Sequence, residues 1–298
     1  MEIKEFGKIM EEKVKELLGA EYLVEYSEVT KNNGNIWHAL AIKKKDENIA
    51  PSLYIDNCFS EYNDGKDVDM IAKELISLYK ESAPGENVDV KFFTDFSKVA
   101  EKLTFKLVNY EKNKNMLKEV PYKICEDLAL VPLCLIENKY IGTGSIMIKN
   151  RHLEEWEVSF DELWENVFER AVINTPVKIS GLLENIMGAH EIDEELDYCG
   201  DLKHMHVLSN TSGNYGAAVI MYPGLLHDLS EKLGSDLIIL PSSLHEVIVL
   251  ECAELNIRKE DLFAMVGEVN RTVLQSEDIL SDNIYHYSAS KNKLYIYC

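Results

Sequence analysis

The sequence predicts an α+β protein with mixed, largely antiparallel sheets and helices packed against them. Three observations predict it. Apolar, strand-like runs arrive in neighbouring pairs, single amphipathic segments separate those pairs, and one pair flanks an Asn-Gly turn. The strict strand–helix alternation of a parallel sheet is missing. With 298 residues, 46% of them hydrophobic, the chain can bury a sizeable core, so disorder is excluded as the main reading.

The elements follow in order. Residues 2–18 set Ile3, Phe6, Ile9 or Met10, Val14 and Leu17 on one helical stripe with charge opposite, a stripe that needs a packing partner. YLVEYSEVT and NIWHALAIKK flank Lys31-Asn32-Asn33-Gly34, where Asn-Gly supplies the positive φ of a hairpin turn. SLYID (52–56) reads as a third strand. Val68, Ile71, Leu75 and Leu78 mark a helix to Tyr79, ended by Pro84-Gly85. A further helix is expected from about Ser97 to Leu117, capped near Asp95, with Pro121 after it.

Beyond Pro121 the texture changes. DLALVPLCLI and YIGTGSIMIKN read as two strands about the Glu137–Lys139 turn, and Pro132, lacking a donor, argues for an edge or bulged strand. Residues 151–173 are helical, with Ser159 capping a second piece and Thr175-Pro176 stopping it. An acidic, glycine-flanked loop is expected from Met187 to Asp201. Then come strands HMHVLSN and YGAAVIMY, a helix from Gly224 to Leu233, strands DLIILP and EVIVLE, a helix from Arg258 to Leu274, and short strands around Tyr285 and Tyr295. This order suggests regions 1–120 and 121–298, with one continuous domain as the alternative.

Charge narrows the partners. The 52 acids against 31 bases give a net charge of -21, split as 23 against 18 in residues 1–120 and 29 against 13 in 121–298. The chain has four arginines, Arg151, Arg170, Arg258 and Arg271. Polynucleotides and anionic membrane surfaces call for a positive face, so neither is expected as a partner. Six cysteines (Cys58, Cys125, Cys134, Cys199, Cys252, Cys298) form no C-x-x-C pair, and four of them sit in or beside apolar runs. Reduced thiols and a cytoplasmic location are expected.

Motifs with chemical potential are few. His204-x-His206 would share a strand face as two metal ligands do, with Cys199, Glu194, Glu195 and Asp197 upstream. No stronger zinc spacing accompanies it, and a solvated strand face explains it as well, so no metal and no cofactor is expected. Pro241-Ser242-Ser243-Leu244-His245-Glu246 joins two apolar strands and offers hydroxyls, an imidazole and a carboxylate. Those are the parts of a nucleophilic site, and equally the ordinary chemistry of a turn. Gly142-Thr143-Gly144-Ser145 and Ser212-Gly213-Asn214-Tyr215-Gly216 match no phosphate-cradling pattern. Trp156 and Trp164 read as packing anchors.

The runs VKFFTDFSKVAEKLTFKLVNYEKNKNMLKEVPY, NYGAAVIMYPGLLHDLSEKLGSDLIILPSSLHEVIVL and NIAPSLYIDNCFSEYNDG resemble the family catalogued as domain of unknown function 5688, from gut-associated Firmicutes. The resemblance covers nearly the whole chain. It implies a bacterial cytoplasmic protein, implies no activity, and sets an aromatic where His206 stands. A more distant likeness, confined to the strand–PSS–strand region, is to domain of unknown function 1444.

The expectation is therefore a non-enzymatic protein- or peptide-binding module. The alternative is a small hydrolase or ligand-binding enzyme using the Ser242/Ser243/His245 loop; no catalytic residue is assigned. If the strands ending at Asn210 and Pro241 run the same way, their polar loops share one edge of the sheet, where ligands often bind. Asn210, Ser242, Ser243 and His245 are the candidate binding residues, and Asn210, Ser242 and His245 are expected to line one groove.

Overall fold

In the computed structural model, which describes residues 1–48, 50–82, 91–138, 142–181, 205–254 and 257–297, the apolar stripe of the first helix finds its partner in a hairpin. Helix α1 (Ile3–Leu18) buries Phe6, Met10 and Val14. They pack with Val24, Leu40 and Ile42 of the antiparallel sheet β1 (Tyr22–Thr30), β2 (Ile36–Lys44) and β3 (Ser52–Tyr54). The turn between β1 and β2 has Asn33 at φ 59° and Gly34 at φ 73°, the left-handed backbone that Asn-Gly favours. Helices α2 (Asp56–Asn63) and α3 (Val68–Ser82) close the same core through Ile71, Leu75 and Tyr79. Leu78 of the expected stripe is half exposed, and Ala72 takes a core place instead. The expected Pro84-Gly85 stop lies outside the described residues.

Contacts group Met1–Phe92 with Ile136–Gly144 as one unit, and Phe93–Leu135 with Ser145–Cys298 as a second. The division does not fall near Pro121, and the reason is a strand. Asp95 caps α4 (Phe96–Ala100) as expected, accepting from the Ser97 backbone N–H and hydroxyl at 3.1 and 2.7 Å. The helix then ends. Leu103–Asn109 is strand β4, followed by the short α5 (Lys114–Leu117). β4 pairs over its whole length with β6 (Leu128–Asn138), tying residues on both sides of Pro121 together. Six of its seven residues are buried, and a strand covered on both faces has no alternation by which to tell it from a helix.

The same sheet holds β5 (Lys123–Cys125) and β7 (Gly142–Met147), both paired with β6. β6 is thus central, so of the edge or bulged strand that Pro132 suggested, the edge is excluded. Pro132 stands opposite Phe105 of β4, and its carbonyl accepts from Ile148 N–H on the other side. β5 pairs no further than Leu130, so the missing donor faces a place where the ladder is already interrupted.

Helices α6 (Asn150–Trp156) and α7 (Phe160–Asn174) follow, with Ser159 Oγ accepting from Glu162 N–H. Both tryptophans anchor packing. Trp164 Nε1 donates to Pro121 O, and Trp156 Nε1 to Phe93 O, each at 2.9 Å. The six-stranded sheet has the order β13-β12-β10-β11-β9-β8, antiparallel throughout, from β8 (Val177–Gly181), β9 (Met205–Asn210), β10 (Leu237–Pro241), β11 (Val247–Glu251), β12 (Tyr285–Ser288) and β13 (Lys293–Ile296). Helix α8 (Leu225–Leu233) leads into β10, and α9 (Lys259–Thr272) covers Met205, Ile238, Leu240 and Leu250 with Leu262 and Val266. The expected strand YGAAVIMY is instead a 3-10 helix, Gly216–Met221, with five of its six residues buried. Its apolar run fits either form, and Tyr215 at φ 54° turns the chain out of the extended direction before it.

Among the described residues no helix is long and apolar enough to cross a membrane. Cys58, Cys125, Cys134 and Cys252 are free thiols, and burial pushes that of Cys134 up to about 12. The Met187–Asp201 loop, Cys199 and Cys298 lie outside the described residues.

Candidate functional site

The second unit holds an open cavity of about 590 Å³ at one end of the six-stranded sheet. Its floor is built by register. Lys178 and Ser180 of β8 stand opposite Ser209 and Val207 of β9, so all four side chains rise from one face. β11 lies beyond β9 with Val247 opposite Leu208, and the preceding Glu246 completes the row on that side. Because β11 is antiparallel to both β9 and β10, those two strands run the same way. The loops after Asn210 and after Pro241 therefore reach the same edge.

The wall is the loop Asn210–Gly213. Asn210 is buried and holds the loop's shape. Its Oδ1 accepts from the Ser212 N–H and hydroxyl at 3.1 and 2.8 Å, and its Nδ2 donates to Asn214 O at 2.8 Å. Opposite stands His245, stacked on Tyr215 with ring centroids 6.0 Å apart. Its Nδ1 accepts from Tyr215 N–H at 3.2 Å, which puts the ring proton on Nε2, 3.4 Å from Asp278 Oδ1. Ser209 Oγ donates to the His245 carbonyl at 2.7 Å and joins floor to wall.

Two of the candidate residues thus line the cavity, Asn210 and His245, and two do not. Ser243 is buried, and its Oγ accepts from His245 N–H at 3.0 Å, fixing the turn. Ser242 is half-buried away from the lining. Asn210, Ser242 and His245 therefore do not form one groove; Ser243 and the Leu244 N–H bond to Asp278 O hold the turn that presents His245.

The chain belongs to the family of unknown function DUF5688. That family's model matches residues 3–289, from the first residue of α1 to just past β12. The match therefore takes in every lining residue of the cavity and stops short of β13. No curated protein and no solved structure matches this chain.

Sequence reading of this DUF5688 chain missed Lys178, Ser180 and Ser209 as lining residues. β8 is only five residues long and follows a helix-stopping Pro176, so the alternation of Val177, Lys178, Ile179 and Ser180 was the one signal for it. Among the described residues no group of three or more His, Cys, Asp or Glu is placed to hold a metal ion. His206 alternates to the face opposite the cavity, 3.4 Å from Glu251; His204, Glu194, Glu195 and Asp197 lie outside the described residues.

Proposed function

We propose that this chain is a non-enzymatic, bacterial cytoplasmic binding protein that holds a protein or peptide partner at the cavity between β8, β9 and the 245–246 turn. One observation carries the reading. The cavity is lined by side chains able to bind, whereas the His245 imidazole and the Ser243 hydroxyl are already committed, and Ser242 lies away from the lining. A serine hydrolase needs a ring nitrogen free to take the hydroxyl proton. Both nitrogens of His245 are engaged, Nδ1 by Tyr215 N–H and Nε2 toward Asp278, and the Ser243 hydroxyl is held inside its own turn.

The cavity's size falls within the roughly 300–1,000 Å³ typical of ligand sites. A net charge of -21 supports a partner that is neither nucleic acid nor an anionic membrane surface. The free, apolar-set cysteines support a reducing compartment.

The test is a peptide-display selection against the full chain, followed by an amide-shift titration with the enriched sequences. Enrichment of a shared motif, with shifts at 178–180, 207–213 and 245–246, is the expected result. Ester or peptide hydrolysis by the purified chain that disappears in His245→Ala would overturn the reading in favour of a hydrolase.

A further inference from the structure

The row of side chains across the cavity floor carries opposite charges at its two ends. Lys178 stands opposite Ser209 on one side, and the β9–β11 register, which ends with Val247 opposite Leu208, brings Glu246 beside Ser209 on the other when it is continued by one residue. Two inter-strand steps separate them, about 10 Å between backbones. Both line the cavity, and neither side chain has a hydrogen-bond or ion-pair partner among the described residues. Between them lie the Ser209 hydroxyl and the apolar Val207, with the hydroxyl of Thr211 on the adjoining wall.

An ammonium and a carboxylate that share a cavity without reaching each other, rising from backbones about 10 Å apart, complement a ligand that carries the opposite charges and spans about that length. A free amino acid is too short, because its two charges belong to one residue. An extended chain of three residues spans about 10 Å. We infer that the cavity takes a short free peptide of about three residues, its terminal carboxylate at Lys178 and its terminal ammonium at Glu246. This rests on the peptide-binding reading above and narrows it. The ligand is thus a small zwitterionic peptide whose own termini supply the two charges.

Trialanine, its N-acetylated form, its C-terminal amide and free alanine are titrated against the isotope-labelled full chain. Trialanine is expected to move the amide signals of Lys178, Ser209 and Glu246. Blocking either end is expected to weaken binding about tenfold, as are Lys178→Met and Glu246→Gln, with unchanged melting curves. The effects should also be coupled. In Lys178→Met, amidating the carboxylate costs nothing further, while N-acetylation still does; in Glu246→Gln the pattern reverses.

Blocked peptides binding as well as free ones would overturn the inference while leaving the peptide-binding reading in place. Free alanine binding as well as trialanine would overturn the spacing argument and the inference with it. If trialanine moves no signal but a display-selected longer peptide does, the ligand class is wrong and the binding module stands; if neither binds, both readings fall.

Discussion

Gly216 sits where three backbones meet: the end of β9, the start of the 3-10 helix and the turn that carries His245. A Cβ built on it falls inside van der Waals distance of Ser209 Oγ, the His245 carbonyl oxygen and the Asn210 backbone nitrogen. Two of those three atoms are backbone and cannot rotate away. Gly7 offers a contrast, since its close neighbours are atoms of the Tyr26 ring. Gly216→Ala is therefore expected to destabilise the chain by roughly 1–3 kcal/mol, the usual cost of overpacking. Urea unfolding monitored by tryptophan fluorescence measures it. An unchanged midpoint would mean that the loop and the turn are free to move apart. The same residue explains part of what the sequence hid. Ser243, Asn210 and His245 all read as polar groups at strand ends, yet all three are engaged in holding the loops that approach Gly216. Polarity announces a turn; it does not say whether the polar atoms face inward to the backbone or outward to a ligand.

Among the elements, the β5–β6 turn does more than reverse the chain. Glu126 takes φ 56° there, and the next residue, Asp127, accepts three side-chain hydrogen bonds from the segment entering β12: Ser281 Oγ at 2.6 Å, Tyr285 OH at 2.7 Å and Asn283 Nδ2 at 3.0 Å. One carboxylate thus joins the four-stranded sheet to the six-stranded one within the second unit. Burial, with the Asp127 charge next to it, raises the Tyr285 phenol above its ordinary range, so the hydroxyl stays a donor. Asp127→Ala leaves three donors without their acceptor and is expected to cost roughly 3 kcal/mol or more, against about 1 kcal/mol for Tyr285→Phe. Equal losses in the two variants would show that the carboxylate works through Tyr285 alone. Elements were legible where their period was clean. The β1–β2 hairpin, the Ser159 cap, and the strands at 237–241 and 247–251 follow the expected pattern closely. β4 and the Gly216–Met221 helix did not, because nearly continuous burial erases the polar positions from which a period is read.

For the whole molecule, charge is the dominant fact. A chain of net charge -21, with the excess concentrated after residue 120, repels itself in the folded state more than in the expanded one. Several ion pairs among the described residues, such as Lys4–Glu28 and Lys114–Glu111, are exposed at both ends and contribute little each. Screening should relieve more repulsion than it removes attraction. The thermal midpoint is expected to rise as sodium chloride is raised from trace levels to physiological strength. A midpoint that falls would give the exposed pairs more weight than the net charge.

The path of the backbone between the two units has a consequence for inheritance. The chain leaves the first unit after Phe92, returns to it for Ile136–Gly144 at the far ends of β6 and β7, and leaves again. A gene fragment ending at codon 92 would encode the first unit without its returning segment, and the complementary fragment would carry that segment without its neighbours. No single crossover can move one unit into another protein intact.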